Sequence, residues 1–317
     1  MDEIQSVTKK VVGIIDCGSN TFNLLVAEIH ANGWNALFEN KIGVKLGSGS
    51  FENGLITSSR FIRGVDAVLS HSTNAKNFGC EKILGFATSA VRDAKNGVDF
   101  VRSVNKVTGV DIRVLNGDEE AEFIYLGIRQ TLELGEKPSL MMDIGGGSVE
   151  FIIANSTQIF WKQSFQLGVS RLQDMIKPVE KLSTEGVQQL KAILEKHLVQ
   201  LQSALQKFPC KRLIGSSGSF DTISSLHFHN HKLVPPEGEL INEIPLSSFA
   251  EIHKWLLGST LEERLKHPVI PELRAEYMSI ASYLVHHILA LQPFEKMLHS
   301  SYSLKEGVMT KFLLGNE

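Results

Sequence analysis

Leu140-Met141-Met142-Asp143-Ile144-Gly145-Gly146-Gly147-Ser148-Val149-Glu150-Phe151-Ile152-Ile153-Ala154 reads as an apolar strand that stops at an acid, turns through glycines and a serine, and returns as a second apolar strand. Glycine reaches backbone angles closed to other residues and lets the main chain approach a ligand, so three in succession between Asp143 and Ser148 point to binding rather than a plain hairpin. The same pattern stands near the start of the chain. Val11 to Ile15 stops at Asp16, turns through Cys17-Gly18-Ser19-Asn20 and returns over Leu24 to Ile29. A small-residue turn with Ser or Asn donors and a carboxylate at the strand end suits a phosphate held together with a divalent cation. Two such turns, one in each half, predict two jaws closing on one phosphate chain.

Each half opens with three strands. The first half reads as strands at 11–15, 22–29 and 34–44, a helix over 58–78, a strand at 82–87, a helix over 99–108 and a strand at 112–115. A helical pattern then runs from Glu119 to near Gly135. The second half repeats the opening with strands at 140–143, 149–154 and 159–165, followed by one helix over 183–208, a strand at 212–215 and a Gly-Ser turn, Gly215 to Ser219. The segment 227–243 reads as a loop or short helical lid. Helices over 247–258, 260–266 and 274–292, a strand at 296–301 and a closing helix over 304–314 complete the chain. The fold class is α/β, two duplicated ribonuclease-H-like domains with a cleft between them. The boundary is placed at 127/128, with the closing helix packing back on the first domain.

The 317 residues exceed the usual size of one core, in keeping with two domains. With 43% hydrophobic and 21% charged residues and no apolar run of membrane-spanning length, the chain reads as soluble with no membrane partner. Met1 to Lys10 is short and polar and lacks an apolar signal core, which predicts a cytoplasmic protein. Cys17, Cys80 and Cys210 show no C-x-x-C spacing and read as reduced thiols. A formal net charge of −3 removes the signature of a nucleic-acid binder, so an anionic substrate must be met by a local basic groove.

Five ordered blocks resemble the exopolyphosphatase / guanosine pentaphosphate phosphohydrolase family, within the actin, sugar kinase and heat-shock ATPase superfamily. They are Gly13 to Leu25, Ala87-Thr88-Ser89-Ala90-Val91-Arg92-Asp93-Ala94-Lys95-Asn96, Gly117-Asp118-Glu119-Glu120-Ala121 with Tyr125-Leu126-Gly127, Asp143 to Glu150, and Gly215-Ser216-Ser217-Gly218-Ser219. The resemblance implies that Glu120 is the general base that activates water, and that Asp143 and Glu150 sit at Mg²⁺, with a monovalent cation as an open addition. Phosphate contacts are implied for Asp16, Gly18, Ser19, Asn20, Arg92, Gly145, Gly146, Gly147 and Ser148, and on the third loop for Gly215, Ser217 and Gly218. Two blocks depart from the family's pattern. Its Arg-Ala-Asp-Val-Ile-Pro stands here as Arg274-Ala275-Glu276-Tyr277-Met278-Ser279, and its late Gly-Leu-Arg-Glu-Gly as Ser303-Leu304-Lys305-Glu306-Gly307.

Hydrolysis of a phosphoanhydride needs charge neutralisation, an in-line nucleophile and a base, and these residues offer all three. No Cys-x₅-Arg loop is present, so direct attack by water is expected rather than a cysteinyl-phosphate. Residue chemistry alone does not choose between Glu119 and Glu120, which share a helix first turn; the resemblance selects Glu120. The implied partner is inorganic polyphosphate, with guanosine pentaphosphate as the alternative and an ATP-dependent kinase of the same superfamily as a third reading. His227, His229 and His231, and the pair His286-His287, read as packing more than as ligands. The apolar helix around Tyr283 to Leu291 reads equally as core or as the face of a homodimer.

Overall fold

The computed structural model describes residues 10–31, 33–177 and 181–315; the polar leader at 1–9 lies outside the described residues. The first half is β1 (Lys10–Cys17), β2 (Thr21–His30), β3 (Gly33–Gly43), α1 (Ser50–Asn53), α2 (Ser58–Asn77), β4 (Lys82–Ala87), α3 (Ser89–Arg92), α4 (Gly97–Thr108) and β5 (Ile112–Val114), followed by α5 (Gly117–Ile128). Its sheet runs β3-β2-β1-β4-β5, an antiparallel meander extended by two parallel strands. The second half is β6 (Ser139–Ile144), β7 (Val149–Ala154), β8 (Ile159–Phe165), α6 (Val169–Ile176), α7 (Thr184–His197), α8 (Val199–Lys207), β9 (Arg212–Ser216), α9 (Ser217–Asn230), β10 (Ile241–Glu243), α10 (Leu246–Gly258), α11 (Leu261–Lys266), α12 (Glu272–Ala275), α13 (Met278–Leu289), β11 (Lys296–Ser300) and α14 (Leu304–Leu313). Its sheet runs β10-β11-β9-β6-β7-β8. Removing the short antiparallel edge β10 and reversing the order leaves the first sheet strand for strand. The duplicated ribonuclease-H-like architecture read from the two hairpins is the one observed.

Strand alternation builds five layers. Ile15, Cys17, Leu24 and Val26 face a core shared with α2 and α4, while Val12, Ile14, Leu25 and Ala27 face the layer between the sheets. In the second sheet Met141, Ile152 and Ala154 face that middle layer, whereas Leu140, Met142, Phe151 and Ile153 face the core under α7 to α10 and α13. Helices α5 and α14 fill the middle layer, with Phe123, Ile124, Val308 and Met309 in its core. They cross closely because glycine allows it: a Cβ on Gly127 would lie 2.0 Å from the Ser303 carbonyl oxygen, and one on Gly307 1.7 Å from that of Phe123.

Several readings are corrected. The helix expected over 183–208 breaks at Leu198, which leaves helical geometry (φ −94°, ψ 15°) with its side chain fully buried, so α8 restarts in a register that turns Leu201 and Leu205 inward. No loop follows β9. Ser217, at φ +66°, turns the strand directly into α9, which carries His227 and His229 as helix residues rather than as part of a lid. The pattern over 274–292 divides into α12 and α13, and α5 ends at Ile128 instead of near Gly135. The short elements α1, α3, α6 and β10 have no counterpart among the expected elements. The apolar helix α13 is core: Leu284, Val285 and Ile288 are fully buried. All three cysteines are free thiols. Among the described residues no helix is long and apolar enough to cross a membrane.

Candidate functional site

The parity that buries Val12 and Ile14 between the sheets carries Asp16 to the same side, and the parity of Met141 carries Asp143 there. Each acid stands at the turn end of its strand. The two turns close with the same backbone bond: Gly18 N–H donates to the Thr21 carbonyl at 3.1 Å, and Gly145 N–H to that of Ser148 at 3.0 Å. Cross-strand partners then diverge. Asp16 stands opposite Asn23, whose Nδ2 donates to it at 2.9 Å, but Asp143 stands opposite Glu150, a second carboxylate on the same face.

The two turns meet. A Cβ on Gly146 would lie 2.8 Å from Ser19 Cβ and 3.0 Å from Asn20 Cγ, so the hairpin tips touch across the gap between the domains. Around them Ser170 Oγ donates to Asn20 Oδ1 at 2.8 Å, Gly49 N–H donates to Asp174 at 2.9 Å, and Lys45 pairs with Glu276 at 3.0 Å. A cavity of about 480 Å³ opens beside the tips. It is lined by Asp16, Gly18, Ser19, Asn20, Glu120, Asp143, Gly145, Gly146, Ser148, Glu150, Ser217 and Gly218 among the candidates raised from the sequence. Arg92, Gly147 and Gly215 are not on that lining. Gly147 packs against Phe51 and Ser89, and Gly215 lies within β9 under the Phe220 ring.

Helix α5 separates the two adjacent glutamates. Asn116 caps its N-terminus, accepting from the Asp118 and Glu119 amides, and the Glu119 carboxylate reaches back to the Asn116 amide at 2.9 Å. This capping box commits Glu119. Glu120, one position round the helix, points into the cavity at 3% exposure and forms an ion pair with Arg92. The same guanidinium donates to the Leu115 carbonyl at 2.9 Å.

The Ppx/GppA phosphatase family matches residues 25–315, nearly the whole chain. The chain belongs to that family. The crystal structure of an exopolyphosphatase from Cytophaga hutchinsonii ATCC 33406 is 34% identical and superposes with a TM-score of 0.94, covering 97% of this chain and 99% of that one. Exopolyphosphatase 1 of Mycobacterium tuberculosis is 34% identical over 166 residues, 51% of this chain and 47% of that protein, so the match spans about half the length of this curated relative. A putative exopolyphosphatase of Haemophilus influenzae is 26% identical over 307 residues, 94% of this chain and 90% of that protein.

In this Ppx/GppA member burial raises Asp16, Glu120 and Glu150, and neighbouring carboxylates add to it. Burial, with a contribution from the Asp143 charge, lifts Asp16 to about 6 despite the Asn23 bond. Burial and the Asp143 charge lift Glu150 to about 7, although Ser164 Oγ donates to it at 2.7 Å. Burial and the Glu150 charge hold Glu120 well above the ordinary carboxylate range, opposed by Arg92. Asp143 Oδ2 instead accepts from three hydroxyls, Ser216 at 2.6 Å, Ser217 at 2.7 Å and Ser303. Ser303 stands where the family's pattern has glycine, and the departure adds a donor to the site.

Sequence reading missed the cations of the cavity. Lys41, Arg274 and Lys305 all line it, close enough together for the charges of Arg274 and Lys305 to help depress Lys41. Lys41 was legible from register, since it stands opposite Asn23 in the β2–β3 ladder. Arg274 occupies the space that a side chain on Gly218 would take, 1.3 Å from an ideal Cβ, so Gly218 serves first to admit a guanidinium. That guanidinium lies within reach of the Asp221 and Asp143 charges.

Proposed function

We propose that the chain is an exopolyphosphatase that removes terminal phosphates from inorganic polyphosphate by attack of a water held by Glu120. The observation that carries this reading is the meeting of the two acid-ended turns in one cavity with a buried glutamate beside them. Ser19, Asn20 and Gly146 line that cavity, and their amides have no acceptor among the described residues, which leaves donors for phosphoryl oxygens. Lys41, Arg274 and Lys305 supply charge for the following phosphates of a chain. Tyr277, the aromatic residue of the lining, is 3% exposed and packed in the core, so the lining offers charge and backbone rather than a stacking platform for a base.

Burial and the Glu150 charge raise the Glu120 carboxyl well above the ordinary carboxylate range, opposed by Arg92, and a raised proton affinity is the direction a general base needs. As the water adds to the terminal phosphorus, Glu120 takes its proton and the bond to the bridging oxygen breaks, leaving the shortened chain as the departing group. Asp143 and Glu150 form a donor set of hard oxygens. The Glu150 carboxyl, raised by burial and by the Asp143 charge opposite it, stands on the same face as a second buried carboxylate, and this pair fits a divalent ion. Among the described residues there is no group of three or more His, Cys, Asp and Glu that could hold a metal. Asp143 and Glu150 would hold Mg²⁺, which supplies charge neutralisation at the phosphoryl oxygens when bound.

The test is phosphate release from polyphosphate and from guanosine pentaphosphate, with Mg²⁺ and with EDTA. Release from polyphosphate only with Mg²⁺ is expected. Release confined to the nucleotide, or dependent on a hydroxyl acceptor, would replace this reading by the phosphohydrolase or the kinase.

A further inference from the structure

A second cavity, of about 330 Å³, lies across the wall of the site and is lined by Ser50, Phe51, Ala90, Asp93, Gln166 and Arg171, with Ala94 at its side. The wall is thin. Ser89 faces the main cavity and bonds Ser19 Oγ at 3.0 Å, while a Cβ on Gly147 would lie 2.4 Å from both Ser89 Oγ and the Phe51 ring. An ionic thread passes through it. Glu120 pairs with Arg92, Arg92 Nε lies 3.5 Å from Asp93, and Asp93 accepts from Arg171 Nη2 at 2.6 Å. Arg171 then donates through Nε to the Gly147 carbonyl at 3.0 Å, and its guanidinium lies 4.2 Å from the Phe51 ring centre. Two largely buried arginines in series, each held by a carboxylate, thus connect the candidate catalytic glutamate to the second cavity.

A polymer substrate creates a problem that this arrangement answers. With the terminal phosphate between the turns and the rest of the chain along Lys41, Arg274 and Lys305, the cleaved group is boxed in by the very chain it left. Either the chain departs first after every cut, or the product leaves another way.

Resting on the exopolyphosphatase reading, we propose that the second cavity is a transit site for orthophosphate. The dianion passes the Ser19–Ser89 hydroxyl pair, displaces Glu120 and then Asp93 as the partner of Arg92 and Arg171, and leaves as the Arg171–Asp93 pair parts and the Phe51 ring swings. Each arginine exchanges one oxyanion partner for another; Glu120 gives up Arg92 as the neutral acid, carrying the proton it took from the water, and the Asp93 carboxylate released in turn is 21% exposed to solvent. The shortened chain stays in the main cavity and advances by one phosphate.

The experiment follows long-chain polyphosphate by stopped flow with a fluorescent reporter of free orthophosphate, by acid quench for total cleaved phosphate, and by gel for chain length. Ala94→Leu narrows the second cavity, and Arg171→Gln removes the second cation and carries the same test should Ala94→Leu fail to fold. Free phosphate is expected to lag cleaved phosphate by at least about tenfold in both variants, with first-turnover cleavage within about twofold of the unsubstituted protein, and intermediate chain lengths are expected to accumulate. Equal lag and unchanged gel patterns in the variants, with the unsubstituted protein active, overturn the transit site alone. No phosphate from polyphosphate in the unsubstituted protein overturns the functional reading and the transit site with it.

Discussion

Glu150→Gln separates what the buried acid costs the fold from what it does in the site. Glu150 stands opposite Asp143 in the β6–β7 ladder, and burial with that charge raises its carboxyl from 4.5 to about 7. The folded chain therefore keeps a proton between pH 4.5 and about 7 that the unfolded chain has already released, so stability falls as pH rises through this window. At about 1.4 kcal/mol per pH unit the loss is on the order of 3 kcal/mol above pH 7. Glutamine never ionises and keeps an oxygen to accept from Ser164. In EDTA the variant should match the unsubstituted protein at pH 4.5 and exceed it by on the order of 3 kcal/mol at pH 8, or roughly 6–12 °C in Tm. Denaturant unfolding followed by tryptophan fluorescence across that pH range measures the gap. With Mg²⁺ the order should reverse at pH 8, because the ion stabilises only the protein that holds both carboxylates. A variant destabilised equally at every pH would show that Glu150 acts through its packing and its serine bonds, and would refute the charge argument.

Glu120→Gln should lower kcat by about 10²–10⁴ while Tm at pH 8 rises, whereas Glu119→Ala should cost on the order of 1 kcal/mol by removing the acceptor of the Asn116 amide and leave kcat intact; steady-state phosphate release and thermal melts read both. Gly146→Ala places a methyl group 2.8 Å from Ser19 Cβ and should force the turns apart, costing about 1–3 kcal/mol and most of the activity; an unchanged kcat/KM would mean the turns need not touch. Arg274→Gln should raise KM for polyphosphate more than it lowers kcat, with the effect shrinking at high salt, as checked by chain-length-resolved kinetics. His253 is lowered to about 4 by burial and by His286, stacked on it at 4.4 Å, so stability should fall as pH drops from 6.5 towards 4; His253→Gln should flatten that limb of the pH–stability curve.

Much of the frame was legible because it rests on local chemistry repeated twice. The acid-ended apolar strands set two hairpins, and the period of two along each strand also decided which face Asp16, Asp143 and Glu150 would take. Lys41 and Ser164 follow from the same parity once the ladders are registered, since they stand opposite Asn23 and Glu150. The four-residue helices α1 and α3 and the break at Leu198 left no trace, because four residues give no periodicity and a buried leucine fits a helix and its interruption alike.

What lay in the residues alone was the duplication and the supply of acids, glycines and hydroxyls, all consequences of neighbours close in the chain. What needed the folded molecule was the pairing of groups from distant segments. Asn116 draws Glu119 outward and so leaves Glu120 for the cavity; Arg92 meets that glutamate rather than the cavity lining; Ser303, from the end of the chain, reaches Asp143; and Arg274 lies in the space that Gly218 leaves open. Those outcomes depend on how two sheets and the helices between them fix angles and distances, and such distances are set by the packing of the whole core rather than by any stretch of sequence.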